Sequence, residues 1–88
     1  METLENAANE LGLSKEMAHA LTLQTALGSA RMAIETKKNL TQLRQQVTSP
    51  GGTTEKAIES LNAAHLDDII KKALTAAQNR AKELAQTF

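Results

Sequence analysis

Apolar residues recur every three or four positions along most of the chain, which is the spacing of amphipathic helices. Helix boundary residues interrupt this spacing, with Gly12 placed to end one helix and Ser14 and Asn39 placed to begin others. The pattern predicts an all-α chain of about five helices, over residues 2–11, 15–36, 40–46, 53 or 54 to 62–65, and 66–86.

Small and aliphatic side chains form the predicted inward faces of these helices. They are Leu4, Ala7, Ala8 and Leu11 in the first helix, Ala20, Leu23, Leu27, Ala30 and Ile34 in the second, Leu40, Leu43 and Val47 at the third, Ala57, Ile58, Leu61 and Ala64 in the fourth, and Leu66, Ile70, Ala73, Ala77, Ala81 and Leu84 in the last. The second helix carries another apolar stripe beside the first, so it is expected to have two neighbours.

The composition indicates a thin core, because 15 residues are Ala, 12 are Leu, and Phe88 is the only aromatic residue. Apolar burial contributes roughly 25 cal/mol per Å², so an Ala-lined monomer is weakly stabilised and a homodimer or higher oligomer is expected. Gly28 lies within a helix, where lacking a side chain favours close approach of another helix, although a kink would explain it too. The predicted dimer interface consists of Leu23, Ala26, Leu27, Gly28, Ala30 and Ile34.

Charge and residue usage exclude several functions. Ten basic and ten acidic residues cancel, which argues against nucleic-acid binding. No apolar stretch approaches the length of a membrane span and no signal pattern is present, so a cytoplasmic protein is expected. Cysteine is absent, and His19 and His65 lack a second ligand at helical spacing, so we expect no metal site and assign both histidines to surface or packing roles.

The chain has one distinctive loop, Ser49-Pro50-Gly51-Gly52-Thr53-Thr54, which leads into the fourth helix. Glycines before a helix start allow unpaired backbone N–H groups to face a ligand at the positive end of the helix dipole. This arrangement suits a carboxylate or a phosphate. A tight connector in which a threonine caps the helix explains the same residues, and both interpretations stay open at this point.

The stretch from Gln46 to Thr54, Gln-Val-Thr-Ser-Pro-Gly-Gly-Thr-Thr, closely resembles the signature of pyrroline-5-carboxylate reductases. The resemblance extends in both directions. Residues 21–32 look like the long dimerisation helix of that family, and residues 76–84 look like its last helix. The similarity covers essentially the whole chain and identifies it as the C-terminal dimerisation domain of such an enzyme.

This resemblance implies a fold and a role. The fold is a single helical domain over residues 1–88, like the C-terminal domain of 6-phosphogluconate dehydrogenase. Two copies of this domain form an interlocked dimer. The enzyme reduces 1-pyrroline-5-carboxylate to L-proline with NADPH or NADH in proline biosynthesis. Carried over to this chain, Ser49, Pro50, Gly51, Gly52, Thr53 and Thr54 bind the substrate. The backbone near Gly52 holds its carboxylate, and Thr54 is the catalytic candidate beside the ring nitrogen.

The chain departs from the family in lacking the N-terminal Rossmann half, because it has no G-x-G-x-x-G turn followed by an acidic residue. We therefore expect this chain to bind no cofactor and to be inactive alone. The family also opens its first helix with a Ser-Gly-Pro-Ala type of run that Met1-Glu2-Thr3 does not match, so a shortened first helix is expected. The alternative is a free-standing helical homodimeric interaction module without a catalytic role.

Overall fold

The computed structural model describes residues 1–87, which form five α-helices and no strand. The helices are α1 (Glu2–Glu10), α2 (Lys15–Glu35), α3 (Leu40–Gln46), α4 (Thr53–Ala63) and α5 (Leu66–Thr87). The prediction of an all-α chain with about five helices is confirmed. The observed helix ends differ from the predicted ones by no more than one residue, because capping residues and glycines mark most of the boundaries.

The described chain divides into two units, residues 1–44 and residues from 45 onward. The first unit holds α1, α2 and most of α3. The second holds the loop that follows α3, together with α4 and α5. The assignment of residues 1–88 to a single functional domain stays a prediction, and the two units are described in turn.

A Schellman motif ends α1. Gly12 adopts a φ of 117°, which favours glycine, and its N–H donates to the Asn9 carbonyl at 3.1 Å. The Leu13 N–H reaches back to the Ala8 carbonyl, also at 3.1 Å. These two bonds satisfy carbonyls that the helix end would otherwise leave unpaired, so the chain reverses sharply before α2.

The first unit is held by packing between α1 and α2. Ser14 caps α2 as predicted, its Oγ accepting a hydrogen bond from the Met17 N–H at 3.2 Å. Across the two helices, Glu5 and His19 form a hydrogen-bonded pair. Ala18 and Thr22 are the two buried residues of the described chain, with 0% and 5% of their surface exposed. Their small side chains let the helices approach closely.

A reciprocal capping box begins α3. The Asn39 Oδ1 accepts from the Gln42 N–H at 2.8 Å, while the Gln42 Oε1 accepts from the Asn39 N–H at 2.9 Å. The predicted cap at Asn39 is therefore confirmed. The contribution of Gln42 was not predicted, although its place three residues after the cap is typical of this motif.

The second unit contains a tight junction between α4 and α5, which contact each other. His65 lies between them with a φ of 59°, and its N–H donates to the Asn62 carbonyl at 3.0 Å. A left-handed backbone is uncommon for a residue with a side chain. The sequence has no glycine at this turn to mark the end of the helix, which is why it predicted only a range for the end of α4.

The predicted inward faces are largely exposed in a single copy of the chain. All six residues of the α5 stripe are exposed, as are the α2 residues Ala20, Leu23, Leu27, Ala30 and Ile34. Leu11, which directly follows α1, keeps 88% of its surface exposed. The buried residues are instead Ala18 and Thr22 of α2, which the apolar pattern did not select, and α2 contacts α1. The reason is that α2 and α5 are long helices, and each contacts a shorter helix within its own unit.

Replacing Ser14 with alanine tests the α2 cap. Ser14→Ala removes the acceptor for the Met17 N–H and should destabilise the chain by about 1 kcal/mol. Urea unfolding followed by circular dichroism measures this change. Ser60→Ala is the matched control, since Ser60 is an exposed serine inside α4. Equal effects of the two substitutions would contradict the capping role.

Candidate functional site

The glycine-rich loop forms a turn that delivers the chain into α4. The Gly52 N–H donates to the Ser49 carbonyl at 3.0 Å, which closes a four-residue β-turn with Pro50 and Gly51 at its centre. Gly51 has a φ of 73°. Proline at the second position and a positive φ at the third are the features of a type II turn. The loop is therefore an ordered turn whose shape follows from its sequence.

The two glycines have different roles in this turn. At Gly51 the requirement is conformational, because the backbone is left-handed. Space is not the constraint there, since an added Cβ would contact no other atom within 4 Å. Gly52 has an ordinary extended backbone with a φ of −83°, so its requirement is steric: the position must lack a side chain. A Cβ there would lie 3.1 Å from the Ser49 carbonyl oxygen. Adjacent glycines thus satisfy one conformational and one steric requirement.

Gly52 is the N-cap of α4 and has no side chain with which to cap the helix. The Lys56 N–H bonds to the Gly52 carbonyl at 3.3 Å, which begins the helical hydrogen-bond series. In the described chain, no acceptor pairs with the amides of Thr53 and Thr54. These donors lie at the positive end of the α4 dipole, which is the arrangement that binds a carboxylate or phosphate.

Two other amides of the loop are already engaged. The Gly52 N–H closes the turn, and the Gly51 N–H donates to the Glu55 Oε1 at 3.1 Å. Among the backbone groups around Gly52, the amides of Thr53 and Thr54 are therefore the donors still available to a ligand, and the expectation that they hold an anion stays a prediction. The threonine cap of the connector interpretation is wrong, because Gly52 holds the cap position. A purely connecting role for the turn stays open as a prediction.

Side-chain exposure differs along the predicted site. Thr54 and Gly52 are half-buried, whereas Ser49, Pro50, Gly51 and Thr53 are exposed. The Thr54 hydroxyl lies in the first turn of α4, close in sequence to the free amides. All six predicted site residues fall within this single turn and helix start. Their role in substrate binding stays a prediction.

Glu55 is the residue of this site that sequence reasoning missed. Glu55 is an acidic residue in the first turn of α4, where such residues commonly interact with the helix dipole alone. Its carboxylate instead reaches back over the turn to the Gly51 N–H. A glutamate three residues after an N-cap is a known sequence signal for such backward bonding, so the signal was present.

The six predicted interface residues lie on α2, in the first unit. Ala26 is half-buried and the other five are exposed in a single chain. Gly28 has no heavy atom within 4 Å of the position that a Cβ would take. The predicted close approach of another helix at Gly28 is therefore not formed within residues 1–87, and it stays a prediction that involves a second chain.

The described residues offer few other sites. They contain no group of three or more metal-ligating side chains. None of the helices in residues 1–87 combines the length and apolar character needed to cross a membrane. The Ser49–Thr54 turn is thus the best-supported candidate for ligand chemistry.

Sequence comparisons match this chain to a defined family. Residues 1–84 match the family described as "Pyrroline-5-carboxylate reductase dimerisation". A pyrroline-5-carboxylate reductase from Pseudomonas aeruginosa is 48% identical over 86 residues, which are 98% of this chain and 32% of that protein. The chain therefore spans about a third of the length of that relative.

Solved structures are similar over most of the chain. A pyrroline-5-carboxylate reductase from Coxiella burnetii superposes with a TM-score of 0.89 at 61% identity, covering 94% of this chain and 31% of that one. Pyrroline carboxylate reductase from Plasmodium falciparum, solved with NADP bound, gives a TM-score of 0.84 at 34% identity. That match covers 86% of this chain and 29% of the other.

Substituting Gly51 tests the backbone requirement of the turn. Gly51→Ala should destabilise the chain by about 1–2 kcal/mol, because a Cβ disfavours the left-handed backbone. Gly51→Asn should cost less, since asparagine tolerates this region better. Chemical unfolding measures both variants. Equal losses for alanine and asparagine would contradict a conformational origin.

Proposed function

This chain belongs to the pyrroline-5-carboxylate reductase dimerisation family, and from that premise we propose that it is the dimerising, substrate-holding part of an enzyme that reduces 1-pyrroline-5-carboxylate to L-proline. The match over residues 1–84 is the observation that carries the proposal. The enzyme would use NADPH or NADH, and the NADP bound in the Plasmodium falciparum structure supports a nicotinamide cofactor.

Self-association follows from membership of a dimerisation family. We assign the interface to the side of α2 that carries Leu23, Leu27 and Ile34, together with Ala26, Gly28 and Ala30. Three large aliphatic side chains there are open to solvent in a single chain, with Ile34 keeping 82% of its surface exposed. Burial of such a stripe against a second copy is favourable, and Gly28 would let the partner helix approach closely.

The substrate-binding role belongs to the turn and the start of α4. The Thr53 and Thr54 amides would hold the substrate carboxylate, because they are unpaired donors at a helix N-terminus. The half-buried Thr54 hydroxyl would lie beside the ring nitrogen. Thr54 is therefore the proposed catalytic residue, while Ser49, Pro50, Gly51 and Gly52 shape the turn that presents it.

Positioning is what this reaction requires of the protein. Hydride adds to the carbon of the C=N bond while the nitrogen keeps or gains a proton, giving the secondary amine of proline. Orientation of the reacting carbon and stabilisation of charge contribute most of the rate enhancement in such a transfer. Two amides and one hydroxyl at fixed positions supply orientation without an ionisable side chain that exchanges protons with the substrate.

The residues of this chain do not fit a dinucleotide. The sequence has no G-x-G-x-x-G turn with a following acidic residue. The nicotinamide cofactor, which supplies the hydride, would therefore bind outside these residues, and the chain alone is expected to be inactive.

The dimer assignment predicts that a charge on the α2 stripe weakens self-association. Leu27→Glu should raise the dimer dissociation constant at least about tenfold, because a buried, unpaired carboxylate is costly. Sedimentation equilibrium measures the change. Gln45→Glu is the matched control, as it adds the same charge at an exposed residue of α3, outside the proposed interface. An unchanged dissociation constant for Leu27→Glu would remove Leu27 from the interface.

The catalytic assignment is tested in a chimera in which this chain replaces the matching third of the Pseudomonas aeruginosa reductase. The chimera should oxidise NADPH when 1-pyrroline-5-carboxylate is added, whereas the chain alone should not. In the chimera, Thr54→Ala should lower kcat/KM by about 10- to 100-fold through loss of one hydrogen-bond donor. Thr41→Ala, in α3, is the control and should leave the rate unchanged.

The rival function is an interaction module that dimerises without binding imino acids. NMR titration of the chain with L-proline separates the two functions. Shifts confined to the amides of residues 49–54 support the substrate-binding role. An inactive chimera, together with no proline-dependent shift, would favour the interaction module.

A further inference from the structure

The Ser49–Thr54 turn is tied to α4 by a bond that the substrate-binding role does not itself explain. The Gly51 N–H donates to the Glu55 Oε1 at 3.1 Å. Glu55 is half-buried, and within the described residues its carboxylate forms no ion pair. The carboxylate therefore bonds to the Gly51 amide, and this bond joins the left-handed residue of the turn to the first turn of the helix.

We propose that Glu55 is a positioning residue for substrate binding, which holds the turn and the Thr53 and Thr54 amides in one fixed relation. This inference rests on the function proposed above. Glu55 needs no contact with the substrate for this role. It acts through Gly51, and its effect is on the geometry of donors that lie between the two bonded residues.

Accounting for each amide explains why this bond falls on Gly51. In an ordinary capping box, the glutamate three residues after the N-cap accepts from the N-cap amide. Here the N-cap is Gly52, and its N–H is already donated to the Ser49 carbonyl. Glu55 bonds to the amide one residue earlier. The amides of Gly51 and Gly52 are thereby used within the turn, and those of Thr53 and Thr54 are left for a ligand.

The bond between Gly51 and Glu55 can fix the geometry of the site because of the residues that it spans. It closes a ring from Gly51 to Glu55 that encloses Gly52, Thr53 and Thr54. Without the acceptor, the Gly51 N–H loses its partner, and the left-handed backbone at Gly51 has one fewer restraint. The type II turn and the helix start would then vary in relative orientation. A carboxylate held by two amides is sensitive to such variation.

A simple charge effect is the competing explanation for Glu55. Any acidic side chain in the first turn of a helix interacts favourably with the dipole. Glutamine distinguishes the two explanations, because it keeps an oxygen that accepts from Gly51 and loses the negative charge. Glu59 supplies a matched control on the same helix, as it is exposed and pairs with Lys56 at 3.4 Å.

The first experiment measures hydrogen exchange of the Gly51 amide in the chain itself. Glu55→Ala should accelerate exchange about tenfold, as expected for loss of a hydrogen bond to a charged acceptor. Glu55→Gln and Glu59→Ala should each stay within about threefold of the parent. Unchanged exchange in Glu55→Ala would overturn the proposal at its structural step.

The second experiment measures kinetics in the chimeric reductase. Glu55→Ala should raise the KM for 1-pyrroline-5-carboxylate about tenfold with a smaller change in kcat, because substrate and transition state lose the same carboxylate contacts. Glu55→Gln should show a KM at or below about three times the parental value, and Glu59→Ala should match the parent. A merely stabilising residue would not produce this separation of KM from kcat.

The outcomes separate this inference from the function on which it rests. An active parental chimera whose KM is unaltered by Glu55→Ala would overturn the role of Glu55 alone. A glutamine variant as impaired as the alanine variant would also overturn it, by assigning the effect to charge. An inactive parental chimera would overturn the proposed function and the role of Glu55 together.

Discussion

The shortage of interior within one copy of the chain governs the rest of the structure. Ala18 and Thr22 are the buried residues of the described part, and both are small. The larger aliphatic side chains of α2 and α5 face outward. Apolar burial is the main favourable term in folding, so a chain that exposes these side chains depends on another surface to cover them. Because the chain belongs to a dimerisation family, we propose that a second copy provides that surface.

The proposed site depends on which backbone N–H groups are already hydrogen-bonded within the protein and which are not. The turn and Glu55 consume the amides of Gly52 and Gly51, and the helix begins its own bonding at Lys56. The donors between them remain for a ligand. Catalysis by positioning needs this kind of selectivity, because a donor that is already satisfied within the protein contributes nothing to a bound carboxylate.

Local signals explain how much of this was predictable. Helix boundaries followed from Gly12, Ser14 and Asn39, whose side chains or backbone freedom act over a few residues. The site segment followed from its glycines and its family resemblance. The inward faces did not, because periodicity identifies an apolar side without saying which chain covers it. The Glu55 bond was missed because it depends on which amide the turn had already used. The left-handed His65 had no glycine to announce it.

The exposed apolar faces of α2 and α5 also make the stability of the folded chain depend on how many other copies are present. When a folded form is stabilised by association, its stability rises with the logarithm of protein concentration. Dilute chains would therefore spend more time with their aliphatic surfaces uncovered, where they are accessible to proteases and to nonspecific aggregation. Under the proposed dimerisation, protein concentration would thus be one of the determinants of the folded fraction.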